Sequence, residues 1–488
     1  MNNWLKVKNN ERVDLALIPV LPVYELREEI IALQKRPIAF FGKDWGKGFV
    51  RLFAALADDE QGEIYLSSTI FDSTMKEYES ITQTIPAFHM FEREFYEQFG
   101  IRPLNHPWLK PVRQNQDDYK FFEMEGEEVH EVAVGPIHAG VIEPGHFRFM
   151  CHGESVYHLE IMLGYQNRDV EDLMLQAPSN QLAESIAGDS VIAYNSAYSQ
   201  VMESLRGIKI TNKAELIRKA ALEMERIAIH IGDMGAISGD IAYAMGAAVF
   251  GVTRTLVINT LLEWSGSRFA RGLVAVGGVN FELTPALIKS TIKTLDKVEA
   301  DVVRMTKTML KNSTVMSRLE KTGTVSAERA QEIGLVGMAA RASGYPLDSR
   351  FDFPDKWVEE LELKQKKFKA QGDVNSRFKL RYKEIKQSIS IVRKILDKLK
   401  KYKKEDILVS SASEFQKDSF VISIVEGWRG EVVHIAMTDG EGNLSRYKIK
   451  DPSFNNWYGL ALAVRNNGVS DFPLCNKSFN LSYAGFDL

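Results

Sequence analysis

Ile217, Ala220, Met224, Ile227, Ile231 and Met234 recur at intervals of three and four residues. Only one face of an α-helix brings such positions together, so roughly five turns must lie against a core. Asn212, with Glu215 three residues on, reads as the capping signal that starts this helix. A second set, Glu223, Arg226, His230 and Asp233, keeps the same spacing beside the first. The plain expectation is a surface face of i,i+3 and i,i+4 pairs, each worth a few tenths of a kcal/mol. The alternative is that the set is buried against other helices and carries protons between paired groups.

Around this helix the pattern predicts further helices over 179–206, 240–265, 285–312 and 325–340. The first hundred residues read differently. Phe49 to Asp58 is strand-like, Asp59-Glu-Gln-Gly62 forms a turn, and Glu63 to Ile70 alternates again, which predicts a hairpin. A helix is expected from about Ser73 to Gly100. An acidic stretch holding Asp117, Asp118, Glu123, Glu125, Glu127 and Glu128 follows and reads as a linker. The resulting division is an α+β region over 1–115, an acidic linker over 116–131 and a larger, mainly helical domain over 132–488. Strands are predicted over 418–450, with Asp439-Gly440 and Glu441-Gly442 at the turn. Between 361 and 404, sixteen Lys/Arg face four acids. Ile385, Ile389, Val392, Leu396 and Leu399 keep helical spacing there, so a solvated basic face is expected. Docking to an acidic partner or anionic headgroups is the alternative.

The chain has two cysteines, Cys151 and Cys475, and no C-x-x-C pair. A four-thiolate zinc site, a four-cysteine iron–sulfur cluster and a thioredoxin-type pair are therefore excluded within it. A net charge of −4 gives no support for a nucleic-acid partner. No phosphate-binding loop, dinucleotide fingerprint or H-E-x-x-H occurs. No apolar signal core opens the chain, and the most apolar stretch, Ile241 to Thr260, is broken by Gly246, Gly251 and Arg254. The densest site candidate is Gly135-Pro-Ile-His138-Ala-Gly-Val-Ile-Glu143-Pro-Gly145-His146-Phe-Arg148-Phe. Two histidines, a carboxylate and an arginine on Gly/Pro-rich backbone can hold an anion and move protons near neutral pH. Solvated hairpin loops would give the same pattern.

Phe91-Glu-Arg-Glu-Phe-Tyr-Glu-Gln-Phe-Gly-Ile101, with Asn105-His-Pro107, resembles the signature of the 30-kDa-type subunit of respiratory complex I. From about 132 onward the chain resembles the 49-kDa-type subunit and the large subunit of membrane-bound nickel-iron hydrogenases. The blocks that carry this are Gly135 to Phe149, Leu159 to Tyr165, Glu223 to His230, Gly232 to Gly235, Arg268-Phe269 and Gly277 to Val279. Gly337-Met-Ala-Ala-Arg341-Ala-Ser-Gly344 and Glu426-Gly-Trp-Arg-Gly430 extend it. A fusion of both parts resembles the large subunits of hydrogenase-4 and formate hydrogenlyase complexes. The resemblance implies a small N-terminal α+β domain joined to a mainly helical large-subunit domain with peripheral β-hairpins.

Hydrogenases of this family hold nickel and iron through two C-x-x-C pairs. By the resemblance, the first pair falls at Ala187 and Ser190, and of the second only Cys475 remains. Soft thiolates are what those metals need, so hydrogen activation is not expected and no metal is expected on this chain. Cys151 lies elsewhere and is expected to be buried and inert. The complex I-like use of the cavity is a quinone pocket at the interface with a small iron–sulfur subunit. The resemblance then implies an oxidoreductase subunit that takes electrons from a partner [4Fe–4S] cluster. His146, Asp189 and Asp233 would serve the chemistry, and Glu143, Arg148, Ser190 and Arg341 would hold the acceptor. The relative's headgroup tyrosine falls beside Asp189-Ser190 and is missing; Tyr194 and Tyr198 are the nearest substitutes. The histidine expected after Arg268-Phe269 is Ala270. Antiporter-like membrane subunits and a peripheral place on the cytoplasmic face of the bacterial inner membrane complete the expectation. A non-catalytic assembly subunit is the competing one.

Overall fold

The computed structural model describes residues 3–114, 119–137, 143–410 and 414–488. His138, Asp117 and Asp118 lie outside the described residues. The predicted hairpin forms: Phe49–Asp58 pairs antiparallel with Glu63–Phe71, with Asp58 opposite Glu63. Arg36–Gly46 and Leu5–Val7 flank it in a four-stranded sheet. The helix expected from Ser73 is much shorter, His89–Phe99. A short strand, Glu77–Glu79, and a 3-10 turn at Pro86–Phe88 precede it. The Glu92 carboxylate explains the difference. It accepts from Ile81 N at 2.9 Å, Thr82 N at 3.0 Å and the Ser80 and Thr82 hydroxyls. Those donors stay out of a helix because a side chain already satisfies them.

The predicted strands over 418–450 are Ser419–Glu426, Glu431–Thr438 and Leu444–Lys450. The fourth strand of that sheet is Arg12–Asp14, from the other end of the chain. Val13, Phe41 and Phe53 share one apolar cluster with Phe420, Ile422 and Ile435. The N-terminal region and the C-terminal sheet therefore bury a common surface. A three-stranded sheet, Val129–Val134, His146–His152 and Ser155–Met162, forms the hairpin of the candidate site.

The central helix spans Asn212–Asp240. Its cap is Thr211, one residue before the predicted one, whose Oγ1 accepts from Ala214 N at 3.2 Å. All six stripe residues, Ile217 to Met234, are fully buried. They share one apolar core with residues of Ala244–Ser265, Pro285–Met309 and Val374–Leu399. Among the described residues Ala244–Ser265 is the one helix long and apolar enough to cross a membrane. Its Phe250, Val257, Leu261 and Trp264 are in the core, whereas Met245, Val252 and Leu262 are exposed.

Two predicted helices are broken. Residues 179–206 form Asn180–Ser185 and Val191–Arg206, separated by the loop holding Ala187 to Ser190. Residues 325–340 form Ala327–Glu332 and Gly337–Ala342, with Gly334 between them and Gly337 at the start of the second, both at positive φ. The basic helix is only partly a solvated face. Lys383, Lys386 and Lys394 are exposed, but Arg377 and Arg381 are fully buried.

Candidate functional site

The polar stripe of the central helix is interior. Glu223, Arg226, His230 and Asp233 are 4%, 0%, 0% and 2% exposed. The surface-face expectation is overturned because each finds a partner from far along the chain. Glu223 accepts from Arg350 Nη1 at 3.1 Å and from the Ser388 hydroxyl. Arg226 donates to the carbonyls of Glu426 and Gly427, at 2.6 and 2.9 Å. His230 Nε2 lies 2.8 Å from Glu384 Oε2. Asp233 accepts from Arg381 Nε at 2.9 Å and from Asn480 Nδ2 at 2.8 Å. Burial would raise the Glu384 carboxyl, but Arg341, His230 and Arg226 outweigh it and hold it well below the usual range. Burial lowers His230 despite that same carboxylate.

Two glycine-bearing segments fix the far side of this ladder. Gly337, at φ +60°, and Gly430, at φ +149°, meet back to back; a Cβ on Gly337 would lie 2.1 Å from Gly430 Cα. Only glycine permits that approach. It delivers Arg341 to Glu384 Oε1 at 2.8 Å and to Glu426 Oε1 at 2.7 Å. Arg341, expected at the acceptor, is thus turned inward and 7% exposed. The same segment delivers Trp428, whose Nε1 donates to Asp189 O at 2.9 Å. Arg429 grips the Asp189 carboxylate through both Nη atoms at 2.7 Å. Its Nε donates to Asn480 O at 2.6 Å, and its guanidinium carbon lies 4.0 Å from the centre of the Trp428 ring. Asp189 and Asp233 are therefore joined through Arg429 and Asn480. The Asp189 side chain is nevertheless 38% exposed.

Ala187 and Ser190, expected from the resemblance at the first pair of thiolate positions, are 1% and 3% exposed. Cys475 is fully buried, and a Cβ on Gly323 would lie 2.7 Å from its Sγ. Burial pushes the Cys475 thiol up to about 11, so it is a thiol and not a thiolate at neutral pH. Cys151 is also buried. Among the described residues no three His, Cys, Asp or Glu side chains come together to hold a metal. An alanine, a serine and one protonated thiol do not fit a nickel-iron centre. Neither tyrosine substitute is available: the Tyr194 hydroxyl donates to Asp451, and Tyr198 is 4% exposed in the core.

The hairpin half is looser. His146 opens the strand His146–His152 opposite Met162, with its ring 5.7 Å from Phe121. Arg148 pairs with Glu131 and stacks on Phe121 at 4.1 Å. Glu143 is exposed, and its Oε2 accepts from Ala484 N at 3.1 Å. Gly145 packs on Tyr483, where a Cβ would lie 2.8 Å from the ring. The segment Asn480–Ala484 thus carries Asp189 and Asp233 at one end and the hairpin at the other. Arg168 reinforces this by donating to Ile186 O and Ala484 O. A cavity of about 700 Å³ opens at the other end of the ladder, beside Glu223, Arg350 and Glu426. None of the seven predicted site residues lines it. Arg350, Arg381, Glu384 and Arg429 were missed as site residues; Arg429 sits in a quoted motif, but the others carry no local signal.

Comparison with known proteins agrees with this architecture. The family described as respiratory-chain NADH dehydrogenase, 49 Kd subunit, matches residues 240–487. The 30 Kd subunit family matches residues 29–123. Formate hydrogenlyase subunit 5 of Escherichia coli is 26% identical over 92% of this chain and 84% of its own length. Membrane-bound hydrogenase subunit alpha of Pyrococcus furiosus is 29% identical over 72% of this chain and 85% of its own length. An NADH-quinone oxidoreductase subunit of Thermosipho melanesiensis is 27% identical over 70% of this chain and 94% of its own length. With the 49 Kd match covering half of the chain and the 30 Kd match preceding it, the chain belongs to the respiratory-chain NADH dehydrogenase 49 Kd subunit family, fused to a 30 Kd subunit region.

Proposed function

We propose that this chain is the acceptor-reducing subunit of a membrane-bound, complex I-like oxidoreductase. Electrons arrive from a [4Fe–4S] cluster in a small partner subunit and reduce a quinone-type acceptor. The acceptor sits between the hairpin residues Glu143, His146 and Arg148 and the loop residues Asp189 and Ser190. His146 gives a hydrogen bond or proton to the reduced headgroup. Asp233 senses the charge change through Asn480 and Arg429 and links it to ion movement in antiporter-like membrane partners. Within such a complex the chain sits peripherally on the cytoplasmic face of the inner membrane.

One observation carries this reading. Asp189, in the loop that the resemblance sets at the metal-binding position of the hydrogenases, is clamped by Arg429 and still exposes 38% of its side chain. A fixed, open carboxylate suits an interface pocket that a second subunit closes. One observation favours an assembly role instead: Cys475, expected from the resemblance in the second thiolate pair, is fully buried beside Gly323 and Arg377. The test is the purified complex, assayed for reduction of a short-chain quinone and for nickel. Quinone reduction without stoichiometric nickel is expected. Stoichiometric nickel with hydrogen turnover overturns the reading, and no turnover of either kind leaves the assembly role.

A further inference from the structure

Glu225 is absent from the ladder because it points off the other side of the central helix. It is 6% exposed. Its Oε2 accepts from Ile192 N at 2.8 Å, at the first turn of the helix Val191–Arg206. Its Oε1 is buried without a well-formed hydrogen bond; the Ala193 N–H also faces the carboxylate and, like that of Ile192, favours its charged form. Among the described residues no cation forms an ion pair with it. Two peptide N–H groups do not offset the cost of burying a charged carboxylate with no cation paired to it, and binding a proton removes most of that cost.

The surroundings point the same way. Asp189, two residues before that helix begins, repels a negative charge at Glu225. Arg226 on its own helix attracts one but is committed to Glu223 and two carbonyls. Arg429 is committed to Asp189. Tyr194, on the helix that Glu225 caps, is bound to Asp451. Burial, with a smaller push from Asp189, raises the Glu225 carboxyl to about 8.

We propose that Glu225 is the proton reserve of this site, a neutral carboxylic acid that gives its proton to Asp189 when the acceptor is reduced. This rests on the acceptor-reducing reading above. Reduction of a quinone to a quinol takes two electrons, both from the partner cluster, and two protons. One proton passes from Glu225 to Asp189 and on to an acceptor oxygen; the other comes from the His146 side. Glu225 is left as a carboxylate at the start of a helix, where peptide N–H groups and the helix dipole favour an anion. It is then reprotonated from solvent. The residue acts through Asp189 and does not itself touch the acceptor.

The experiment uses the purified complex and the near-isosteric Glu225→Gln. Its amide oxygen keeps the bond from Ile192 N but cannot titrate. The wild-type minus Glu225→Gln infrared difference should contain a carboxylic-acid carbonyl band that disappears on raising the pH through about 8; the subtraction removes the band of Asp352, which burial raises to the same range. Quinone reduction by the wild type should fall as pH rises through the same range. In Glu225→Gln it should be at least about tenfold slower at neutral pH, pH-independent there, and unchanged in KM. Asp189→Asn should keep the band and lose the pH limb. A difference spectrum without that band, or an unaltered pH profile, overturns the proposal. Absence of quinone reduction in the wild type would instead overturn the reading of the site, and the resting-state band would still decide whether Glu225 is neutral.

Discussion

The two halves of the candidate site are built on opposite principles. On the helix side Asp233, His230, Arg341, Arg381 and Glu384 are all buried and all paired. On the hairpin side Glu143 is exposed and Arg148 keeps 20% of its side chain in solvent. Buried ions cannot change partners cheaply, because a charge left alone in the interior costs several kcal/mol. Half-exposed groups can exchange a protein partner or water for a ligand at little cost. The helix side therefore sets a fixed charge pattern, and the hairpin side can exchange partners, as the proposed ligand chemistry requires.

Removing a buried partner is the most severe way to break this contrast. Asp233→Ala leaves Arg381 uncompensated at 0% exposure, and should lower stability by about 3–5 kcal/mol. Thermal unfolding of the purified complex checks it, and a loss under about 1 kcal/mol would mean the ladder is not the rigid half. A second effect depends on pH. Because Glu225 is raised in the folded state, its stabilising effect is fully present below the ordinary carboxylate range and is lost as pH rises through about 8. Glu225→Gln should remove that decline, of the order of a few kcal/mol, in denaturation series at several pH values. The smallest change is expected on the hairpin. Arg148→Ala should shift stability by no more than about 1 kcal/mol, since its pair with Glu131 is solvated. Equilibrium unfolding that showed a loss as large as that of Asp233→Ala would erase the distinction between the halves.

How much of this the sequence displays depends on how far apart the partners lie. The central helix is visible because its apolar stripe is local, and the strand Ser419–Glu426 and its neighbours are visible because their turns are local. The ladder is not. Glu223 and Asp233 look like surface residues until Arg350, Arg381 and Asn480 are brought to them by the fold. The basic run misleads for a related reason: a charge count does not tell which face Arg377 and Arg381 take. The break at 186–190 shows neither proline nor a glycine pair; Glu225, on another helix, binds the N–H of Ile192 where the next helix starts. The motifs containing Gly337 and Gly430 are recognisable as family blocks. Their physical reason, two backbones touching, needs both segments in place.

The most direct measurement is the rate of quinone reduction by the purified complex carrying His146→Ala. The fold and thermal midpoint should stay close to those of the wild type, with turnover reduced at least about tenfold as a proton or hydrogen-bond donor is lost. Unchanged turnover would contradict the assignment of acceptor chemistry to the hairpin.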